Sequence, residues 1–168
     1  MSIDPRPTGS AIGDVPPADA EARFRVPDRK VAADVVDDEV VIVDLETGSY
    51  YTTEGAGCDA WRLLAAGVSV AETTAALRGR YVDDGEIEEY VAALVAAFTG
   101  KGLLVPAGGP ADETVDLGPV RGLLAPVSDP APFAAVDVVA FDDMQSLLLL
   151  DPVHEVDDRG WPHAAPGV

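Results

Sequence analysis

The sequence is short of basic side chains, cysteine, histidine and long apolar runs, and each shortage closes a class of function. Lys and Arg number 11 against 30 Asp and Glu, a formal net charge of -19. Such a charge repels phosphate backbones and anionic lipid surfaces, so it argues against nucleic acid and membrane as partners. The lone cysteine, Cys58, excludes an internal disulfide framework and points to a reducing, cytoplasmic compartment. No apolar run approaches the roughly 20 residues that span a bilayer. Residues 1–22 carry neither a basic n-region nor an apolar h-region, so they do not read as a signal peptide. His154 and His163 lack the further ligands a metal site needs. No Ser/His/Asp or Cys/His constellation has catalytic spacing. These shortages point to a protein that is not an enzyme and takes no cofactor or metal.

What the chain does hold is apolar residues, 48% of the total, concentrated between residues 30 and 105. Residues 1–26 are proline-containing, lack apolar periodicity and read as a disordered arm. Residues 30–43, KVAADVVDDEVVIV, are β-branched and apolar, and Asp37-Asp38 breaks them into two strands. A second turn, Asp44-Leu45-Glu46-Thr47-Gly48, has a glycine for the positive φ of a hairpin loop. Ser49-Tyr50-Tyr51-Thr52 then forms a third short strand.

Helices follow. Thr53 is placed to cap the first, which carries Gly57, Ala60, Trp61 and Leu64 at helical spacing. Ser69-x-x-Glu72 is a capping box opening the second, with Val70, Thr74, Leu77 and Tyr81 on its apolar face. The third spans residues 86–101 with a core stripe of Ile87, Val91, Leu94 and Phe98, flanked by Val95. LLVP, residues 103–106, returns as a short strand. The expected fold is α+β and winged-helix-like: a three-stranded antiparallel sheet followed by three helices, over residues 27–106. Residues 107–135 read as a Gly/Pro-rich linker and 136–168 as an apolar and acidic tail. In that tail Phe141, Met144, Leu147, Leu148 and Leu150 form a cluster too apolar to stay bare in water. It has two possible burials: on its own domain beside residues 49–52, or on a partner. Nearness and the millimolar effective concentration across a short flexible tether favour docking in cis.

Two motifs compete for function. Gly55-x-Gly57-x-x-Ala60 spells a dinucleotide-binding fingerprint. That loop needs a parallel βαβ unit. Here the preceding strand closes an antiparallel hairpin and the following helix leads to another helix, so the glycines read as close-packing residues. The strand at residues 49–52 is the sharper candidate. An edge strand leaves N–H and C=O groups unpaired, a template on which an extended peptide can add. Tyr90, Ala93 and Ala97 share one flank of the third helix and suit the opposite wall of such a groove. The alternative is that these alanines pack on the tail or face water. The helix pair also fits a DNA-binding winged helix, the rival reading. A recognition helix offers basic or amide side chains at its start, whereas this one opens on Asp83, Asp84, Glu86, Glu88 and Glu89.

The stretch DLETGSYY, the Gly57…Trp61-x-Leu63-Leu64 helix and the closing Lys101-Gly102-Leu103-Leu104 resemble the PqqD-like proteins. These are peptide chaperones, or precursor-recognition elements, in the biosynthesis of ribosomally made, modified peptides. The resemblance runs from about residue 31 to 105 and leaves the tail outside. Family members usually carry Leu-Asn where this chain has Thr52-Thr53, so one apolar anchor is missing. The resemblance implies that a precursor's leader peptide adds as a strand between the third strand and the third helix. The residues in contact would be Ser49, Tyr50, Tyr51, Thr52, Tyr90, Ala93 and Ala97, with Lys101 facing an acidic leader residue. It further implies a non-catalytic chaperone whose second partner is a peptide-modifying enzyme. A scaffold subunit acting through the tail is the remaining alternative.

Overall fold

A computed structural model describes residues 19–82, 85–108 and 116–142. Its strands are β1 (Phe24–Arg25), β2 (Val31–Val36), β3 (Glu39–Asp44), β4 (Tyr50–Glu54), β5 (Tyr81–Val82), β6 (Val105–Pro106), β7 (Ala131–Pro132) and β8 (Val139–Phe141). Its α-helices are α1 (Ala56–Ala65), α2 (Val70–Arg78), α3 (Ile87–Gly100) and the single turn α4 (Arg121–Leu124).

The sheet starts from a tight hairpin. β2 and β3 pair antiparallel from Val31 opposite Asp44 to Val36 opposite Glu39. Asp37 and Asp38 both take positive φ, 48° and 66°, the left-handed geometry whose twist matches the flanking strands. β4 adds antiparallel to β3, with Glu54 opposite Glu39 and Tyr50 opposite Val43. The turn between them is tied by Asp44, whose Oδ1 accepts the amides of Glu46 and Thr47 at 2.9 and 3.2 Å. β3 alternates strictly, so Val40 and Ile42 are fully buried beneath the helices.

α2 opens on the predicted capping box: Ser69 Oγ accepts from the Glu72 amide at 3.2 Å, and Glu72 Oε2 accepts from the Ser69 amide at 3.1 Å. α3 buries Ile87, Val91, Leu94, Val95 and Phe98. Trp61 of α1 meets Phe98 edge-to-face, centroids 5.0 Å apart, at the centre of a core that also holds Leu64, Leu77 and Leu103. The N-terminus of α1 differs from expectation. β4 runs on to Glu54, so the pleat turns Thr53 inward, and its side chain makes no capping hydrogen bond to α1. Gly55, at φ 55°, is the cap residue instead. Tyr81 falls beyond the end of α2 and lies in β5.

The α+β class stands, but the layout is not three strands followed by three helices. The main sheet has four strands in the order β2-β3-β4-β8, and β1-β6 and β5-β7 form two small pairs. Residues 19–26 do not belong to the arm: β1 pairs antiparallel with β6, and Phe24 sits in the core at 7% exposure. One aromatic side chain with a core to enter outweighs the proline content around it. Within the expected linker of 107–135, the part from residue 116 onward also packs. Val120 and Leu123 are buried against Leu63, Val68 and Ala76, and β7 pairs in parallel with β5. Residues 1–18, the rest of the tail from 143 onward with Met144, Leu147, Leu148 and Leu150, and His154 and His163 lie outside the described residues.

Candidate functional site

The outer edge of β4 is occupied by the chain's own C-terminal segment. β8 pairs with it antiparallel: Tyr50 opposite Phe141, Tyr51 opposite Ala140, Thr52 opposite Val139. Side chains alternate along β4, so Tyr51 shares the core face with buried Thr53 while Tyr50 and Thr52 share the other face. On that other face Phe141 stacks on Tyr50, ring centroids 4.7 Å apart and planes 8° from parallel. Ser49 Oγ donates to Asp142 Oδ1 at 3.1 Å just beyond the pair. On the core face Val138 packs against the main cluster, and Lys101 Nζ lies 5.2 Å from the centre of the Tyr51 ring, within cation–π range.

Upstream of β8 the segment is held by α3. The Tyr90 hydroxyl donates to the Val136 carbonyl at 2.8 Å and accepts from the Val136 amide at 3.2 Å. Burial pushes the Tyr90 phenol above its ordinary value of 10, so it stays protonated and can do both at neutral pH. Three residues earlier Phe133 meets two tyrosines edge-to-face, Tyr90 at 5.3 Å and Tyr81 at 6.4 Å between centroids. Tyr81 is itself fixed, because its hydroxyl donates to Asp59 Oδ2 at 2.9 Å, and Arg80 Nε donates to the same oxygen at 3.1 Å. Burial, then the Asp59 charge, raise the Tyr81 pKa, so this phenol too remains a donor. Residues 133–142 therefore thread a groove with β4 on one side and Tyr90 of α3 on the other.

Gly57 lets the two walls approach. A Cβ there would collide with Thr53 Oγ1 and lie 3.0 Å from the Tyr90 hydroxyl. The glycine is thus a spacing residue between α1, β4 and α3, as the strand order before it and the helix after it implied.

The residues singled out from the sequence divide as follows. Ser49, Tyr50, Tyr51 and Thr52 line the paired edge, Tyr90 clamps the tail backbone, and Lys101 covers Tyr51. Ala93 is exposed and Ala97 half-buried on α3, and the described hydrogen bonds from α3 to the segment come from Tyr90. Sequence reasoning did not single out Tyr81, Phe133 or Asp142 for the site. The available signal was two phenylalanines, Phe133 and Phe141, inside an Ala-, Pro- and Val-rich stretch. Cys58 is buried in α1, where burial pushes its thiol up to about 11. No group of three or more His, Cys, Asp or Glu among the described residues could hold a metal ion.

Residues 39–104 match the family model described as Coenzyme PQQ synthesis protein D (PqqD). No curated protein matches the chain. Among solved structures it is similar to one described as TbiB1 in complex with the TbiA(beta) leader peptide. Identity is 31%, coverage 52% of this chain and 99% of that one, and the TM-score 0.45.

Proposed function

We propose, from the premise that this chain belongs to the PqqD family, that it is a non-catalytic peptide-binding protein of ribosomal-peptide modification. It takes the leader of a precursor peptide as an added strand on β4 and presents it to a modifying enzyme. The observation that supports this most directly is the pairing of β8 with β4, since the edge already accepts an extended segment in register. Main-chain bonds to such an edge supply affinity, and the flanking side chains supply selection. The Tyr90 hydroxyl adds a backbone clamp, and Tyr50 a stacking platform. Duplex DNA is disfavoured by the net charge of -19 and by the exposed Glu86, Glu88 and Glu89 around the start of α3. No helix among the described residues is long and apolar enough to cross a membrane. The single free thiol agrees with a cytoplasmic setting.

The test is titration calorimetry of the full chain with the leader half of a precursor peptide, sought among the short reading frames beside its gene. A scrambled peptide and a random duplex serve as controls. Saturable binding of the leader alone is expected. The reading fails if the leader binds neither the native chain nor a Val139→Pro, Phe141→Ala chain. It also fails if the duplex binds with micromolar, salt-sensitive affinity.

A further inference from the structure

Because residues 133–142 contact the groove through side chains as well as backbone, the segment reports what the groove selects. Phe133 occupies the slot between Tyr81 and Tyr90. Val138 points onto the core cluster. Phe141 covers Tyr50 on the opposite face, and the Asp142 carboxylate accepts the Ser49 hydroxyl. Val136 is held through its main chain, by both its carbonyl and its amide. The same edge cannot pair with two strands at once, because each outward N–H and C=O of β4 serves one partner.

We propose that residues 133–142 are a resident copy of the groove's ligand, and that this ligand is an extended peptide of matching pattern. The pattern is an aromatic residue, a β-branched residue five positions on, a second aromatic at eight and a carboxylate at nine, as in Phe133, Val138, Phe141 and Asp142. This rests on the peptide-binding reading above and adds both the chemistry of the partner and its competitor. The segment is tethered close by, since β7 is already paired with β5. A tethered occupant acts at an effective concentration in the millimolar range. If the segment's own intrinsic affinity for the edge is about 100 μM, an incoming peptide would therefore see its apparent affinity fall about tenfold. Only a peptide that matches the pattern better than the tail, or arrives with an enzyme that adds its own contacts, displaces it.

The probe is a fluorescein-labelled synthetic peptide of residues 131–143, APFAAVDVVAFDD, read by anisotropy against full-length chain. Val139→Pro with Phe141→Ala removes a ladder donor and the stack from the resident copy while leaving the groove walls intact. This chain should bind the probe at least tenfold more tightly than the native chain. Probes carrying Phe133→Ala or Phe141→Ala should bind at least tenfold more weakly than the unaltered probe, and a scrambled probe not at all. As a second route, Ser49→Cys with Asp142→Cys ties the segment down, since the two side chains already touch. The oxidised chain should refuse the probe and the reduced chain accept it. Equal binding by native and tail-weakened chains, equal binding of scrambled probe, or binding to the oxidised tie each overturns the proposal. A precursor leader that binds native and tail-weakened chains equally overturns the competition and leaves leader recognition standing. Probe results as expected, with a leader that binds neither chain, support the pattern and remove the leader reading.

Discussion

Replacing Tyr90 by Phe isolates the backbone clamp. The ring stays, so the edge-to-face contacts with Phe133 survive, while the two hydrogen bonds to Val136 are lost. A typical intramolecular hydrogen bond contributes about 1 kcal/mol net. The 3.2 Å contact is the longer of the two, and Val136 is only half-buried, so its freed groups regain some water. A loss of roughly 1–2 kcal/mol in tail docking follows, a factor of about 5–30 in the docked-to-released ratio. Hydrogen exchange at Val136 and along β8 should accelerate by that factor. Core amides that exchange only through global unfolding should accelerate similarly, because destabilising the docked state lowers the cost of every opening that breaks the contact. The discriminating measurement is therefore a double-mutant cycle by urea unfolding. Tyr90→Phe should cost about 1–2 kcal/mol in the native chain and close to nothing in a chain truncated after Ala135, where Val136 is absent and the clamp has no target. Equal costs in both backgrounds would show that the hydroxyl stabilises the domain by another route and would refute the clamp.

Gly57→Ala drives a methyl into Thr53 Oγ1 and toward the Tyr90 hydroxyl, so it should cost roughly 1–3 kcal/mol in a urea melt and loosen tail docking with it. Hydrogen bonds from the Ser69 amide and hydroxyl hold the Glu72 carboxyl below its ordinary value of 4.5. Its contribution is therefore fully present above pH 4.5 and lost as pH falls through the lower folded value, so Glu72→Gln should flatten that part of the acid limb of a stability–pH curve. Cys58, buried and with its thiol pushed to about 11, should resist iodoacetamide at pH 7.5 in the native protein and react at least 100-fold faster in urea; rapid native labelling would contradict its burial.

The elements legible in the sequence are those set by neighbours along the chain. Asp37-Asp38 takes a two-residue hairpin because short polar side chains tolerate positive φ, and β3 keeps its period of two because one face is covered. The Ser69–Glu72 box and the stripe from Ile87 to Phe98 likewise need only local spacing. The edge at Ser49, Tyr50, Tyr51 and Thr52 and the helix flank carrying Tyr90 follow from a local pattern, an edge strand beside an amphipathic helix, whereas their pairing into one peptide groove and the place of Lys101 in it came with the family resemblance. The helical wheel also offered Ala93 and Ala97, but a wheel gives direction without reach, and Tyr90 is the α3 side chain long enough to touch the tail backbone in the described hydrogen bonds.

Tertiary structure decided the rest. Phe24, Val120 and Leu123 sit in proline- or glycine-containing sequence with no periodicity of their own, and become core only because pockets exist beside α1, α2 and α3 to receive them. Docking of the Phe141 cluster beside residues 49–52 is legible in its apolarity, but its register is not: β8 is three residues long and its partner lies some ninety positions upstream in β4. The entropy of closing so long a loop grows only logarithmically with its length, so distance along the chain forbids little. What selects the pairing is the surface that the folded domain presents. An unpaired edge, a phenol aimed at one peptide unit and an open tyrosine face come together only after the helices have packed on the sheet.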